Sequence, residues 1–249
     1  MVYPQFKGKH LQESLIHPNK WMEYMRIKEK YKGKLPKKYI FFYDKNLLKH
    51  IKRKYKPKSV YIYSSLTILI YKDIGFIHIP GYGCPVAASI LEELISMGGK
   101  IFLNLGIAGG LNCRGIFLCK KALIDEGTSF HYVSQRKYSY PDASLTKKFG
   151  SFLKKNKLDY KEGTTWTIDA PYRETKAEIK RYIKQGIKTV EMECSALFTV
   201  AKYRKVKLAS AFVVSDVLGK KWEPEFHKFN IKDNLKKLFD LGVKCINTY

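Results

Sequence analysis

The chain has 249 residues and a mass of 29.0 kDa, a length that predicts a single domain spanning residues 1–249. Because 45% of the residues are hydrophobic and 14% are aromatic, the chain can bury a sizeable core, which excludes a mainly disordered protein. The formal net charge of +25 suggests acidic partners, but forty of the 47 basic residues are lysines, and base readout relies on the arginine fork. We therefore interpret the charge as a lysine-rich surface and expect no nucleic-acid partner.

The cysteines and the first residues point to a reducing, aqueous compartment. The five cysteines are odd in number and include no C-x-x-C pair, and the six histidines are scattered, so the sequence predicts no metal cluster. The first ten residues contain no apolar leader core, and no run reaches the roughly 18 apolar residues of a membrane span. We expect a cytoplasmic protein with reduced thiols, no membrane partner and no bound cofactor.

Residues 1–58 form a basic segment that matches no pattern well. Fourteen lysines and arginines lie between Arg26 and Lys58, interleaved with tyrosine and phenylalanine. Such a mixture can bind single-stranded nucleic acid, but nearby apolar residues recur at near-helical spacing, which favours solvated helix faces. We expect no sequence-specific binding here: any nucleic acid bound should dissociate steeply with salt and be bound regardless of its sequence.

From Ser59 onward, short strands and helices follow one another. Strands of a meander are predicted over the β-branched and aromatic runs 59–64, 67–71 and 75–80. The segment 81–99 begins with glycines, places Pro85 at the first helical position and ends at a glycine pair, which predicts a helix. A buried strand is predicted over 101–105, with the GIAGGL segment at 106–111 as a glycine-rich turn at its C-terminal end.

Helices and apolar strands alternate through the second half of the chain. Helices are predicted over 144–156, 175–186, 194–205 and 231–246, strands over 188–193 and 207–216, and a strand or loop over 163–169. This alternation indicates a mixed or parallel sheet covered by helices on both faces. Ligands of such sheets lie at the carboxyl ends of the strands, where Gly106–Gly110, Glu191–Glu193 and Ser215–Asp216 are predicted to fall.

Three carboxylates in this region could take part in chemistry. Glu191 and Glu193 are spaced to share one face of a strand, where a carboxylate can accept hydrogen bonds from the vicinal hydroxyls of a sugar. An acid at a helix N-terminus, stabilised by the helix dipole, explains the same pattern equally well. Asp216 ends an apolar run, which suits either a general acid or the cap of a following turn.

Two further segments are candidates for ligand binding. The glycines of 106–110 can present backbone N–H groups, although their spacing matches neither a P-loop nor G-x-G-x-x-G. Tyr172 and Arg173 lie in a loop before a helix. Tyrosine can stack on a base and arginine can donate twice to a base carbonyl; alternatively, Arg173 pairs with a neighbouring carboxylate such as Glu174.

Taken in order, these segments resemble the nucleoside phosphorylase family, which includes purine nucleoside and uridine phosphorylases. The resemblance covers roughly residues 75–218, and its most specific part is VEMECSALF followed about twenty residues later by VVSD. It implies a three-layer α/β/α sandwich with a mixed, partly barrel-like central sheet, assembled as a homo-oligomer, either a dimer or a hexamer. It also implies a pentosyltransferase that cleaves the N-glycosidic bond of a purine or pyrimidine nucleoside, with inorganic phosphate as co-substrate.

The resemblance further implies roles for individual residues. Met192 and Glu193 of the V-E-M-E motif would bind ribose, with Glu191 beside them. Asp216 would protonate a departing purine at N7, with Ser215 next to the base. The positions nearest to the family's other base-binding and phosphate-binding residues are Tyr172 and Arg173 for the base, and Gly81, Tyr82, Gly83, Asn104, Gly106, Ile107, Ala108 and Gly109 for the phosphate or ligand loops.

Two departures from the family's pattern affect phosphate. The family has an arginine and a serine or threonine where this sequence has Asn104 and Ile107, and its G-D-P-x-R loop has only FFYDKN, at 41–46, as a counterpart. Phosphate needs charge-assisted donors, which would then have to be lysines, Arg114 or Arg136. Three functions therefore stay open: phosphorolysis, hydrolysis by water as in the related methylthioadenosine/adenosylhomocysteine nucleosidases, and nucleoside binding without catalysis. The choice between purine and pyrimidine also stays open.

Overall fold

The computed structural model describes residues 4–6, 8–63 and 66–249, except for the side chains of Lys28 and Lys30. Ser64, the last residue of the first predicted strand, lies outside the described residues, as do residues 1–3 and 7 of the basic segment. Within the described part of the chain, no helix has the length and apolar composition to span a bilayer.

The described chain contains eight α-helices and eleven strands. The helices are α1 (Pro18–Tyr24), α2 (Ile27–Lys30), α3 (Lys45–Tyr55), α4 (Cys84–Ser96), α5 (Ala143–Lys155), α6 (Lys176–Lys184), α7 (Cys194–Tyr203) and α8 (Phe229–Asn247). The strands are β1 (Lys38–Phe42), β2 (Lys58–Tyr63), β3 (Leu66–Tyr71), β4 (Ile74–His78), β5 (Ile101–Leu111), β6 (Ile116–Asp125), β7 (Tyr138–Ser139), β8 (Lys161–Ile168), β9 (Ile187–Glu191), β10 (Lys207–Leu218) and β11 (Trp222–Pro224). Short 3-10 turns lie at Lys9–Leu11, Thr128–His131 and Pro171–Arg173.

The strands form one mixed sheet in which five strands close into a barrel. Its order is β11-β10-β6-β8-β9-β5-β1-β4-β3-β2, and the additional pairing of β10 with β5 closes the barrel of β5, β10, β6, β8 and β9. Beyond β5, parallel β1 and β4 lead to the antiparallel meander of β4, β3 and β2. The predicted fold class, a helix-covered mixed sheet with a partial barrel, is confirmed.

Alternating side chains of the strands build two cores, one on each face of the sheet. In β1, Tyr39 and Phe41 point into a core with α1, α4 and α7, whereas Ile40 and Phe42 point into a core with α3, α5 and α8. All four side chains are fully buried. Strand β1 was not predicted from the sequence, because its alternation is hidden among lysines and aromatics.

Capping side chains fix where the helices begin. The Asp44 carboxylate accepts the Leu47 N–H at 2.6 Å before α3, and the Asp142 carboxylate accepts the Leu145 N–H at 2.7 Å before α5. Such caps satisfy backbone donors that have no partner within the helix. The four helices predicted in the second half of the chain are all present, with ends that differ by two residues or fewer.

The prediction of a glycine-rich turn over 106–111 is wrong, because these residues continue β5 to Leu111. The glycines are needed for close packing inside the barrel. A Cβ on Gly109 would lie 2.6 Å from the Leu218 side chain, and one on Gly110 would overlap the carbonyl group of Cys113. Similarly, the ambiguous segment 163–169 is largely strand β8, and β10 runs past Asp216 to Leu218.

Candidate active site

The register of three barrel strands places several of the predicted site residues on neighbouring strands. Gly109 of β5 pairs with Val190 of β9 on one side and with Asp216 of β10 on the other. Strands in a sheet lie about 4.8 Å apart, so the two flanking backbones are separated by about 10 Å. Glu191 and Glu193, which follow Val190, therefore lie across β5 from Asp216.

Glu191 caps helix α7. Its Oε2 accepts the backbone N–H groups of Glu193 at 2.9 Å and Cys194 at 2.7 Å, and its Oε1 accepts the Thr167 hydroxyl at 2.5 Å. Burial and the neighbouring Glu193 carboxylate raise the pKa of Glu191. The helix-cap interpretation is thus the one that the structure shows, and contact of Glu191 with ribose remains a prediction.

Glu193 does not point the same way, because it lies after β9 has ended, at the N-cap position of α7. Its Oε1 accepts the Gly83 N–H at 2.6 Å, and Gly83 has the left-handed φ of 103° that favours glycine. The Cys84 thiol donates to the Met192 carbonyl at 3.1 Å. These bonds tie the predicted loop 81–83 to the V-E-M-E segment, and burial raises the pKa of Glu193 to about 7.

Asp216 is held by two donors at an irregularity in β10. Its Oδ1 accepts the Ser215 hydroxyl and its Oδ2 accepts the Trp222 indole N–H, both at 2.8 Å. The register of β10 against β5 shifts between Val214 and Asp216, which re-aims the side chain as a bulge does. Trp222 was not predicted, because no local pattern connects the short strand β11 to Asp216.

The positions predicted for phosphate carry neutral groups. Asn104 is buried, Ile107 is 37% exposed, and Tyr43, which follows β1, donates its hydroxyl to Asn104 Oδ1 at 2.8 Å. The Tyr43 ring also covers Gly106, where an added Cβ would lie 3.2 Å from it. Burial and the nearby Glu193 and Glu191 carboxylates raise the pKa of Tyr43 well above its ordinary value, so the phenol stays neutral.

Tyr43 is a second functional candidate that was not predicted from the sequence as a residue, although it belongs to the FFYDKN segment at 41–46. The side-chain nitrogen of Asn104 has no hydrogen-bond partner among the described residues. A buried donor without a partner is costly, and this one lies beside the hydroxyl of Tyr43. It is therefore available to a ligand.

The carboxylates of the site lack compensating cations. No lysine or arginine of the described residues forms an ion pair with Glu191, Glu193 or Asp216, and Arg114 is bound by Glu223 and Glu225. Burial, together with the charge of Asp216, raises the pKa of Glu174 to about 7. The site is therefore acidic both near Asp216 and near Glu193.

Tyr172 and Arg173 do not close over the site in this structure. Tyr172 is fully exposed at the 3-10 turn before α6, Arg173 is exposed as well, and Tyr82 is 78% exposed beside the loop glycines. The predicted loop location is confirmed. Contact of these side chains with a base remains a prediction.

Next to this site, Cys84, Glu126 and Asp169 place possible metal-ligating atoms within 4.8 Å of one another. Each already has a protein partner: Glu126 accepts the Ser195 hydroxyl at 2.8 Å, and Asp169 accepts the Gly127 N–H at 2.9 Å. Burial raises the pKa of the Cys84 thiol, which favours its protonated form. A cavity of about 930 Å³ lies alongside, between the N-terminal segment and α4, and none of the predicted site residues lines it.

Comparison with known proteins assigns this arrangement to a family. Residues 68–247 match the family described as "Phosphorylase superfamily". The chain belongs to the phosphorylase superfamily. A DeoD-type purine nucleoside phosphorylase of Clostridium novyi is 32% identical over 143 residues, covering 55% of this chain and 61% of that protein. An uncharacterised protein of Acanthamoeba polyphaga mimivirus is 30% identical over 142 residues, covering 55% and 54%. The chain thus spans little more than half the length of these curated relatives.

Solved structures show the same fold. An AMP nucleosidase from Bacteroides thetaiotaomicron superposes with a TM-score of 0.76 at 22% identity, covering 94% of this chain and 98% of that one. A uridine phosphorylase from Vibrio fischeri superposes with a TM-score of 0.69 at 21% identity, covering 86% and 91%. At these identities the likeness establishes the fold, and the resemblance to nucleoside phosphorylases drawn from the sequence is confirmed at the level of the family.

Proposed function

We propose that the chain cleaves the N-glycosidic bond of a nucleoside, and that water is the acceptor. Membership of the phosphorylase superfamily supports nucleoside chemistry, since the relatives and neighbours include nucleoside phosphorylases and an AMP nucleosidase. The choice of water rests on one observation: neutral Asn104, Ile107 and Tyr43 occupy the positions expected to bind phosphate. Phosphorolysis, which the family resemblance implies first, is the alternative.

Electrostatics supports water over phosphate. A phosphate bound beside Tyr43 would lie near the carboxylates of Glu191 and Glu193, whose charges raise the pKa of that phenol. Two unit charges of like sign repel by about 4 kcal/mol at 4 Å and an effective dielectric of 20. No lysine or arginine of the described chain pairs with these carboxylates to offset that repulsion, which grows as pH rises through the raised pKa values of Glu191 and Glu193. A neutral water molecule does not incur it.

The same acidity favours the bond cleavage itself. Breaking a glycosidic bond passes through a transition state with positive charge on the sugar, and fixed negative groups stabilise developing positive charge. In this proposal Glu193 accepts hydrogen bonds from ribose hydroxyls. Asp216, oriented by Ser215 and Trp222, hydrogen-bonds or protonates the leaving base.

A panel of purine and pyrimidine nucleosides, assayed for free base with and without phosphate, tests the proposal. We expect base release at equal rates in both conditions, with free ribose as the sugar product. For the purine nucleosides, an Asp216→Asn variant purified in the same way controls for contaminating enzymes. Strict dependence on phosphate, with ribose 1-phosphate formed, would establish phosphorolysis instead. Nucleoside binding without base release would indicate a binding protein. Homo-oligomeric assembly and cytoplasmic location stay predictions.

A further inference from the structure

One face of the fold carries many basic residues and few acids. Helices α3, α5 and α8, which cover one side of the sheet, contain thirteen lysines and arginines and only two acids. Helices α1, α4 and α7 on the other side contain two lysines and three glutamates. We call the outer surface of α3, α5 and α8 the basic face.

The three helices form a continuous surface although they are far apart in the sequence. Asp240 of α8 accepts hydrogen bonds from Lys54 at 2.6 Å and Tyr55 at 2.7 Å, both on α3. Lys148 of α5 donates to the carbonyl of Thr248, just after α8, at 2.7 Å. The basic face therefore spans three neighbouring helices, the longest of which is about 28 Å at 1.5 Å per residue.

Most of these cations lack an acidic partner. Both acids on the basic face are already paired, Asp240 with Lys54 and Asp233 with Lys237, which leaves eleven basic side chains without an ion pair among the described residues. On α3, Lys45, Lys49 and Lys52 follow one another at the four- and three-residue spacing of a single stripe. The buried side of α3 is instead formed by Leu47 and Ile51.

The side chains of the basic face indicate which kind of polyanion it binds. Among the residues of α3, α5 and α8, Phe229 at the start of α8 is the one exposed large hydrophobic side chain. A single exposed ring is neither the series of aromatic platforms that stacks the bases of a single strand nor the apolar helix face that anchors a lipid surface. A regular row of cations on a rigid surface fits the regularly spaced phosphates of a double helix, which carries one charge per about 1.7 Å.

We propose that the basic face binds the phosphate backbone of double-stranded nucleic acid, without reading its sequence. The inference does not depend on the proposed nucleoside chemistry, because it uses no residue of that site. It differs from the expectation drawn from the sequence, in which the charge of the whole chain was interpreted as a lysine-rich surface and no nucleic-acid partner was expected. Folding adds the charges of α5 and α8 to those of α3.

The test compares two triple variants with equal loss of charge. Lys49→Gln, Lys52→Gln and Arg53→Gln together remove three exposed cations from the basic face. Lys176→Gln, Lys180→Gln and Lys184→Gln remove three exposed cations from α6, which packs on a separate core. The probes are 20-base-pair DNA and RNA duplexes of random sequence, single strands of equal length, and phosphatidylserine vesicles, each at several salt concentrations after native folding is confirmed by circular dichroism.

We expect the wild type to bind duplexes with a steep salt dependence, the logarithm of affinity falling by about 0.9 per phosphate contact for each decade of salt. Each lost contact then lowers the affinity about eightfold at 0.1 M salt. The α3 variant should therefore bind duplexes at least about tenfold more weakly, and its affinity should depend less steeply on salt. The α6 variant should stay close to the wild type, since charges beyond about 10 Å are screened. The proposal is overturned if duplexes do not bind at 50 mM salt, if both variants lose affinity equally, or if single strands or vesicles bind more tightly than duplexes.

Discussion

Replacing Glu193 with glutamine is the sharpest test of the candidate site. The side chain is 8% exposed and accepts the Gly83 N–H at 2.6 Å, so glutamine can keep this contact through its carbonyl while removing the charge. Loss of one charge-assisted contact to a ribose hydroxyl costs about 1.5–3 kcal/mol. Each 1.36 kcal/mol corresponds to tenfold in rate, so kcat/KM should fall by roughly one to two decades.

The assay compares a ribonucleoside with its 2′-deoxy and 3′-deoxy counterparts. If Glu193 binds a hydroxyl, the variant should lose most activity on the ribonucleoside and little on the analogue that already lacks that hydroxyl. Because burial raises the pKa of Glu193 to about 7, wild-type kcat/KM should also rise with pH through that value, and the variant should lose this rise. Glu191→Gln is the matched control, since Glu191 caps α7 and should leave the ribose-to-deoxyribose ratio unchanged.

Two results would refute this reasoning. Equal losses on the ribonucleoside and both deoxy analogues would mean that Glu193 only holds the loop at Gly83. Wild-type kcat/KM on every substrate would remove Glu193 from the site altogether. A change of the ratio in Glu191→Gln, in contrast, would show that the α7 cap also contacts the sugar.

Four further outcomes are expected. Asp216→Asn should slow purine nucleosides about a hundred- to ten-thousand-fold and pyrimidine nucleosides far less; equal loss of activity on both classes in steady-state assays would indicate a structural role that joins β10 to β11. Trp222→Phe removes the 2.8 Å hydrogen bond from the indole to Asp216 and should slow purine nucleosides about tenfold more than pyrimidine nucleosides. Equal slowing of both classes would contradict a role of this hydrogen bond in orienting Asp216. Gly110→Ala should lower the free energy of unfolding in urea by about 3 kcal/mol, because its Cβ overlaps Cys113; an unchanged midpoint would contradict the close packing. Finally, burial raises the pKa values of Glu191 and Glu193 above 4.5, so the folded chain binds more protons than the unfolded one, and stability should decrease as pH rises from about 5 to 8. A higher urea midpoint at pH 8 than at pH 5 would contradict this.

The helices of the second half of the chain and several of the strands could be predicted from the sequence because their signals are local. Hydrophobic periodicity places the helices of the second half within two residues of their observed ends. The acids Glu193 and Asp216 could be found in the same way, since each follows an apolar strand run and belongs to a motif of adjacent residues.

The tertiary structure alone decided what those residues contact. Tyr43 reaches Asn104 across sixty-one positions of the chain, and Trp222 reaches Asp216 from a separate strand; neither partner carries a sequence signal, because strand register is set by the whole sheet. In a sequence, a glycine can mark either a turn that needs an unusual backbone conformation or a position where neighbouring atoms leave no room for a side chain. Only the neighbours Leu218 and Cys113 show that Gly109 and Gly110 belong to a closely packed strand. The basic face arises in the same manner: the sequence contains its lysines in three distant segments, and packing of α3, α5 and α8 on one side of the sheet makes them a single surface.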